Sequence, residues 1–87
     1  MVSQKLVIKN EAGLHARPAG ILAQAAMKCN SNVLILAGEK KVQVKSILNL
    51  MAAGIKCGTE IELQCDGENE QEDLKTLAAL IESGLGE

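Results

Sequence analysis

The stretch GLHARPA, residues 13–19, combines residues that occur nowhere else in the chain. It contains the only histidine (His15), the only arginine (Arg17) and the only proline (Pro18) of 87 residues. A proline suits the first turn of a helix, where its missing N–H costs nothing. Apolar residues follow at helical spacing through residues 21–26. We therefore expect a turn at the start of this stretch and a helix that begins beside His15.

The start of such a helix favours negative charge. The backbone N–H groups of Ala16 and Arg17 would lack helical partners, and the positive end of the helix dipole lies among them. The Arg17 guanidinium adds a permanent, fork-shaped donor for phosphate or carboxylate. A nucleophilic imidazole beside an anion site is what a transient phosphohistidine requires. The alternative is that His15 is an ordinary solvated cap or turn residue.

Length and composition predict one small domain, residues 1–87, with little room for a deep enzyme pocket. The chain has no aromatic residue, which argues against nucleic-acid binding by base stacking. No apolar run is long enough to span a membrane, and the first residues lack the apolar region of a secretory signal. We therefore expect a cytoplasmic protein that neither inserts into membranes nor binds nucleic acid.

The cysteines are odd in number and form no close pair: Cys29, Cys57 and Cys65. In a reducing compartment such residues are free, partly buried small hydrophobes. Without a close pair of ligands, we expect no metal site.

Charge is divided unevenly along the chain. Residues 1–57 carry eight Lys or Arg against two acids, a net charge of +6. Residues 58–87 carry nine acids against one lysine, a net charge of −8. His15 lies in the basic part, which would steer an acidic protein surface toward it. The alternative is that these charges are scattered over several solvated faces.

Periodicity predicts seven elements in the order strand, helix, strand, strand, helix, strand, helix. Strands with one apolar face and helices with one apolar stripe favour helices that cover one side of an antiparallel sheet. This is an α+β two-layer domain. The expected strands are Gln4–Lys9, 33–36, 41–44 and 60–65. The first expected helix runs from Ala16 to Met27 or Lys28. The second covers 47–53, between a Ser46 N-cap and Gly54. The third begins at an Asn69 cap, with Glu72 as its capping-box partner, and ends at Gly84.

The GLHARPA motif resembles the phosphorylation-site signature of the HPr family, the histidine phosphocarriers of the bacterial sugar phosphotransferase system. Element order and length extend this resemblance over the whole chain. It implies the open-faced β-sandwich of that family, with a four-stranded antiparallel sheet covered on one side by three helices. It also implies a stoichiometric phosphoryl carrier that is not an enzyme and needs no cofactor. Nothing in the sequence demands more than a monomer, so we expect one.

The same resemblance assigns roles to residues of the motif. His15 would accept the phosphoryl group through Nδ1. Arg17 and the backbone N–H groups of Ala16 and Arg17 would hold the phosphate oxygens. The partners implied are enzyme I, as phosphoryl donor, and the IIA domains of sugar permeases, as acceptors.

The second helix is apolar on nearly all sides, through Ile47, Leu48, Leu50 and Met51. Such a helix is either sunk in the core or exposes a docking patch. By resemblance to the HPr family, Ile47, Leu48 and Met51 would dock partner proteins. Arg17, Gly20 and Ile21 of the first helix would complete that surface.

The tripeptide Lys45-Ser46-Ile47 resembles the regulatory serine region of the family. Ser46 has two interpretations. As an N-cap it contributes roughly 1 kcal/mol to stability. As a target of HPr kinase/phosphorylase, it would carry about two negative charges beside the docking face and slow phosphorylation of His15.

Other residues of this region depart from the Gram-positive family pattern KSIMGVMSLG. Asn49 and Ala52-Ala53 replace its Gly and Ser-Leu, and Leu48 stands where Met is common. These departures weigh against recognition by the serine kinase and by a catabolite-control regulator. Two alternatives remain. One is a regulatory binding paralogue with Ser46 as its switch. Regulatory relatives are known that lack the histidine, so the presence of His15 favours the carrier. The other is a phosphocarrier of a nitrogen or dihydroxyacetone branch.

Overall fold

Strands and helices alternate in the order that the sequence predicts. The structure is a computed structural model that describes residues 1–85. Its elements are β1 (Val2–Val7), α1 (Ala16–Met27), β2 (Asn32–Ala37), β3 (Lys40–Gln43), α2 (Ile47–Ala52), β4 (Glu60–Asp66) and α3 (Glu70–Glu82). The predicted element boundaries agree to within about two residues, which is the usual uncertainty of helix and strand ends.

The strands form one antiparallel sheet in the order β1-β4-β2-β3. Long-range pairing sets the bounds of β1, which lies two residues earlier than its alternation predicts. Val2 pairs with Cys65 and Val7 with Glu60. Ile8 continues the pairing beyond the strand through two backbone bonds: its N–H donates to the Thr59 carbonyl at 3.0 Å, and its carbonyl accepts from the Gly58 N–H at 2.7 Å.

The three helices pack on one side of the sheet, so the predicted two-layer α+β architecture is confirmed. Along the strands, buried residues that face the helices alternate with more exposed ones. Leu6 and Ile8, for example, are buried on either side of the exposed Val7. Among residues 1–85 the hydrophobic core consists of aliphatic side chains and the Cys65 thiol, and the polar residues Ser31 and Asn10 are also buried. The largest fully buried apolar side chains are Ile8, Leu22, Ile35, Leu50, Leu63, Leu77, Ile81, Leu85, Val33, Val44 and Cys65.

Both residues predicted as helix caps occupy N-cap positions, but only one of them caps with its side chain. Ser46 caps α2 as expected, because its Oγ accepts a hydrogen bond from the Asn49 N–H at 3.2 Å. Asn69 precedes α3 but makes no side-chain cap bond among residues 1–85. Its φ of −108° and ψ of 30° differ from the extended conformation that directs a cap side chain at the helix amides. Glu70 supplies a local bond instead, since its Oε1 accepts from the Gly67 N–H at 3.3 Å.

The three cysteines differ in exposure. Cys65 is fully buried, and burial raises the pKa of its thiol to about 11. Cys29 is half-buried, in agreement with the expectation, and burial also raises the pKa of its thiol. Cys57 is exposed, so the expectation of partial burial is wrong at this position. It lies in the turn between α2 and β4, where its Sγ donates to the Lys9 carbonyl at 3.6 Å.

No helix within residues 1–85 is long and apolar enough to cross a membrane. Nor do three potential metal-ligating side chains come together anywhere in this range.

Candidate functional site

The loop that leads to His15 is fixed by backbone contacts. Gly13 has a φ of +66°, a conformation that favours glycine. A Cβ at this position would lie 2.5 Å from the Ile55 carbonyl oxygen and 2.8 Å from the Lys56 Cα. The neighbouring Leu14 N–H donates to the same Ile55 oxygen at 2.9 Å. The loop therefore lies directly against the chain that follows α2.

Asn10 closes the loop from the other end. It is 5% exposed, and its Nδ2 donates to the Gly13 carbonyl. In return, the Gly13 N–H donates to the Asn10 carbonyl at 2.9 Å. These two bonds make a short, rigid turn immediately before the histidine.

His15 is the N-cap residue of α1, with an extended backbone (φ −87°, ψ −169°). Its carbonyl accepts the first bond of the helix, from the Ala19 N–H at 2.9 Å. Its side chain is exposed and makes no cap bond among the described residues. The imidazole is therefore available to a reagent or a partner in solution.

The N-terminal turn of α1 carries unpaired donors next to the imidazole. Helix geometry leaves the N–H groups of Ala16 and Arg17 without a helical acceptor, and Pro18 has no N–H to satisfy. No acidic residue lies in this turn. The Arg17 side chain is exposed, as is Ala16. The structure thus brings together His15, Ala16 and Arg17 at a position that attracts an anion.

A shallow, open depression of about 380 Å³ lies beside His15. Its other wall comes from the end of α2 and the residues that follow. The lining residues are Ala12, Leu14, His15, Met51, Gly54, Ile55 and Lys56. The depression is too open to enclose a small substrate, and a flat protein surface would cover it better.

Helix α2 exposes most of its apolar residues. Leu50 alone is completely buried, whereas Leu48 is 80% exposed and Met51 44% exposed. Ile47 is also exposed. Of the two interpretations open at the sequence level, a helix sunk in the core is therefore wrong. A cluster of large exposed apolar side chains is typical of protein interaction surfaces.

The two predicted docking residues of α1 are less accessible. Gly20 and Ile21 are both half-buried, and Ile21 packs partly against the core. Helix α1 contacts α2, so the two elements that carry the predicted docking residues are neighbours. Ser46 lies half-buried at the start of α2.

Comparison with known proteins identifies the family. Residues 2–83 match the family model described as "PTS HPr component phosphorylation site". The phosphocarrier protein HPr of Mycoplasma capricolum subsp. capricolum is 44% identical over 86 residues, which is 98% of this chain and 97% of that protein. The chain belongs to the HPr family. Its function is accordingly that of this family, phosphoryl transfer in the phosphotransferase system.

Two further HPr-family proteins are similar over almost their whole length. The crystal structure of an HPr from Thermoanaerobacter tengcongensis superimposes with a TM-score of 0.95 at 41% identity, covering 100% of this chain and 98% of that one. The HPr-like protein Crh of Bacillus subtilis is 43% identical over 82 residues, 94% of this chain and 96% of that protein.

Three residues in or around this candidate site carry no signal in the sequence. Asn10 holds the loop, but its spacing from Gly13 is common to many turns. The Lys40 Nζ reaches across from β3 to donate to the Ala53 carbonyl at 2.7 Å, which neutralises the C-terminal end of α2. Lys56 lines the depression beside His15. Tertiary packing alone brings Lys56 to the depression and Lys40 to the end of α2, so local patterns could not reveal them.

Proposed function

We propose that His15 is the phosphoryl acceptor of this phosphocarrier. The observation that carries the proposal is the position of an exposed imidazole at the N-cap of α1, beside unpaired backbone donors. In the acceptance step, a neutral imidazole nitrogen, Nδ1 by family resemblance, attacks the phosphorus of the phosphorylated donor. The bond from phosphorus to the donor breaks as the new P–N bond forms.

Positioned donors stabilise the transferred group. Arg17 and the N–H groups of Ala16 and Arg17 would hold the phosphate oxygens and disperse their charge during transfer. The open depression suits a carrier, because the phosphoryl group must remain accessible to a second protein. The chain would therefore act as a stoichiometric relay rather than as an enzyme with its own turnover.

The docking surface we propose consists of Ile47, Leu48 and Met51 of α2 with Arg17, Gly20 and Ile21 of α1. Its partners would be enzyme I as donor and IIA domains as acceptors. Their common requirement is a surface that surrounds His15, and the exposed apolar residues of α2 are continuous with the depression through Met51. We further propose that the protein acts as a cytoplasmic monomer and that residues 1–87 form a single carrier domain.

The test is intact-protein mass spectrometry after incubation with enzyme I, phosphoenolpyruvate and Mg²⁺. We expect one phosphate that is lost in mild acid, absent from a His15→Ala variant and retained in a Ser46→Ala control. Addition of an IIA domain should remove it. If His15→Ala still accepts an acid-labile phosphate, the assignment of His15 is wrong.

Ser46 supports a second, regulatory function. Its Oγ lies at a helix N-terminus, where a phosphate is locally favourable, and it is next to the exposed Ile47 of the docking surface. Incubation with HPr kinase/phosphorylase and ATP would then add an acid-stable phosphate that Ser46→Ala lacks. This modified form should accept phosphate from enzyme I more slowly. If Ser46 stays unmodified under these conditions, the chain is not a substrate of the kinase, and a catabolite-control regulator that recognises the phosphoserine is excluded as a partner.

A further inference from the structure

Lys56 is the charged residue of the depression beside His15. The other described residues that line it are Ala12, Leu14, Met51, Gly54 and Ile55, all uncharged. Neither the motif nor the family resemblance assigns Lys56 a role. A cation on an otherwise apolar wall interacts more strongly with a nearby anion than one that is surrounded by other charges and water.

The backbone of Lys56 is held in place on both sides. Its Cα lies against Gly13, where even one added methyl carbon would approach to 2.8 Å. Its N–H donates to Thr59 Oγ1 at 3.3 Å, and its carbonyl accepts from the Thr59 N–H at 3.1 Å. The position of the Cα is thus fixed relative to the His15 loop, while the four-carbon side chain stays exposed and free to move.

The other cation of the site comes from a different element. Arg17 lies on α1, whereas Lys56 follows α2. We propose that the Lys56 ammonium contacts the phosphoryl oxygens of phosphorylated His15 and is a second positioning cation of the site. This proposal rests on the proposed phosphorylation of His15 and adds a residue to it.

The test uses a chemical phosphoryl donor, so that it does not depend on any partner protein. Phosphoramidate transfers its phosphoryl group to the imidazole. Its own P–N bond breaks, a P–N bond to His15 forms, and ammonia leaves with the proton that the ring gives up. The ³¹P resonance that appears in the full-length protein, and is absent from His15→Ala, is then titrated against pH.

Removal of the Lys56 charge should raise the second pKa of this phosphoryl group. For unit charges about 6 Å apart, screened as in bulk water, the rise is about half a pKa unit, and we expect at least this shift in Lys56→Gln. Lys56→Arg should restore most of the original value. Lys41→Gln is the matched control, because it removes one exposed lysine from β3, away from the depression, and should leave the titration unchanged.

Two results would overturn the proposal. One is a shift in Lys56→Gln no larger than that in Lys41→Gln. The other is an unchanged titration combined with slower transfer from enzyme I, which would place Lys56 against the partner instead of the phosphate. The two proposals can also fail separately. If enzyme I does not phosphorylate the wild-type chain, but the chemically phosphorylated form shows the pKa shift in Lys56→Gln, the proposed donor is refuted and the Lys56 contact is established.

Discussion

Replacement of Gly13 by alanine tests how the His15 loop is held. The added methyl group meets the Ile55 carbonyl oxygen at 2.5 Å and the Lys56 Cα at 2.8 Å, and both are backbone atoms that a side-chain rotation cannot move. The φ of +66° costs an alanine roughly 1 kcal/mol. Separation of the two segments also weakens the bond from Leu14 to Ile55, worth about 1 kcal/mol, and disturbs packing by about another 1 kcal/mol. We expect a loss of about 3 kcal/mol in the free energy of unfolding.

Gly38→Ala is the matched control. Gly38 has nearly the same φ, +61°, but a Cβ there would meet nothing within 4 Å. It should cost only the conformational strain, roughly 1 kcal/mol. The difference between the two variants therefore isolates the steric contact at Gly13.

Urea unfolding followed by far-UV circular dichroism measures both values. The chain has no Trp, Tyr or Phe, so intrinsic fluorescence gives no signal. Gly13→Ala should also accept phosphate more slowly than Gly38→Ala, because displacement of the loop moves His15 relative to the wall formed by Ile55 and Lys56. Equal destabilisation in the two variants would refute the close contact between the loop and the segment after α2.

Other predictions concern the cap, an acidic group and the thiols. Ser46→Ala should lower the free energy of unfolding by about 1 kcal/mol, whereas Ser46→Asp, which can still cap, should stay close to wild type in thermal unfolding. The Ser31 hydroxyl, 2.6 Å from Asp73, lowers the pKa of that carboxyl below its usual 3.8. The stabilisation is therefore present above about pH 4 and is lost as pH falls through the lower, folded-state pKa. Asp73→Asn should therefore have a lower free energy of unfolding than wild type at pH 7, and the difference should shrink as unfolding is measured at lower pH. A difference that does not change with pH would contradict the role of the Asp73 carboxylate. Cys57 should react with a thiol reagent in the native protein, whereas Cys65 should react only after unfolding; equal rates would contradict the burial of Cys65.

The GLHARPA stretch shows how far local reasoning reaches. His15 and Pro18 are only three residues apart, so the start of the helix and its unpaired amides can be predicted from the order of the residues alone. The resulting α1 begins at Ala16, as predicted. The Ser46 cap was predictable for the same reason, since an N-cap bond spans only three residues.

Helix α2 marks the limit of that reasoning. Its apolar composition allowed either a buried or an exposed helix, because six residues carry no periodicity that would single out one face. Only packing against α1 and β3 decided that Leu50 is buried while Leu48 is 80% exposed. The side-chain cap bond predicted for Asn69 failed for a related reason, since the backbone angles around the connection from β4 decided whether its side chain faces the helix.

Local sequence patterns were enough to predict the element order, the two-layer α+β class and the helix start at His15, because hydrophobic periodicity, glycine and proline act over a few residues. The tertiary structure alone decided what faces the imidazole. Ile55 and Lys56 are about forty residues away in sequence, and they reach the site because the Leu14 N–H bonds to the Ile55 carbonyl and Gly13 leaves no side chain between the two segments. Contacts of that kind depend on how the helices pack on the sheet, which no local pattern of residues encodes.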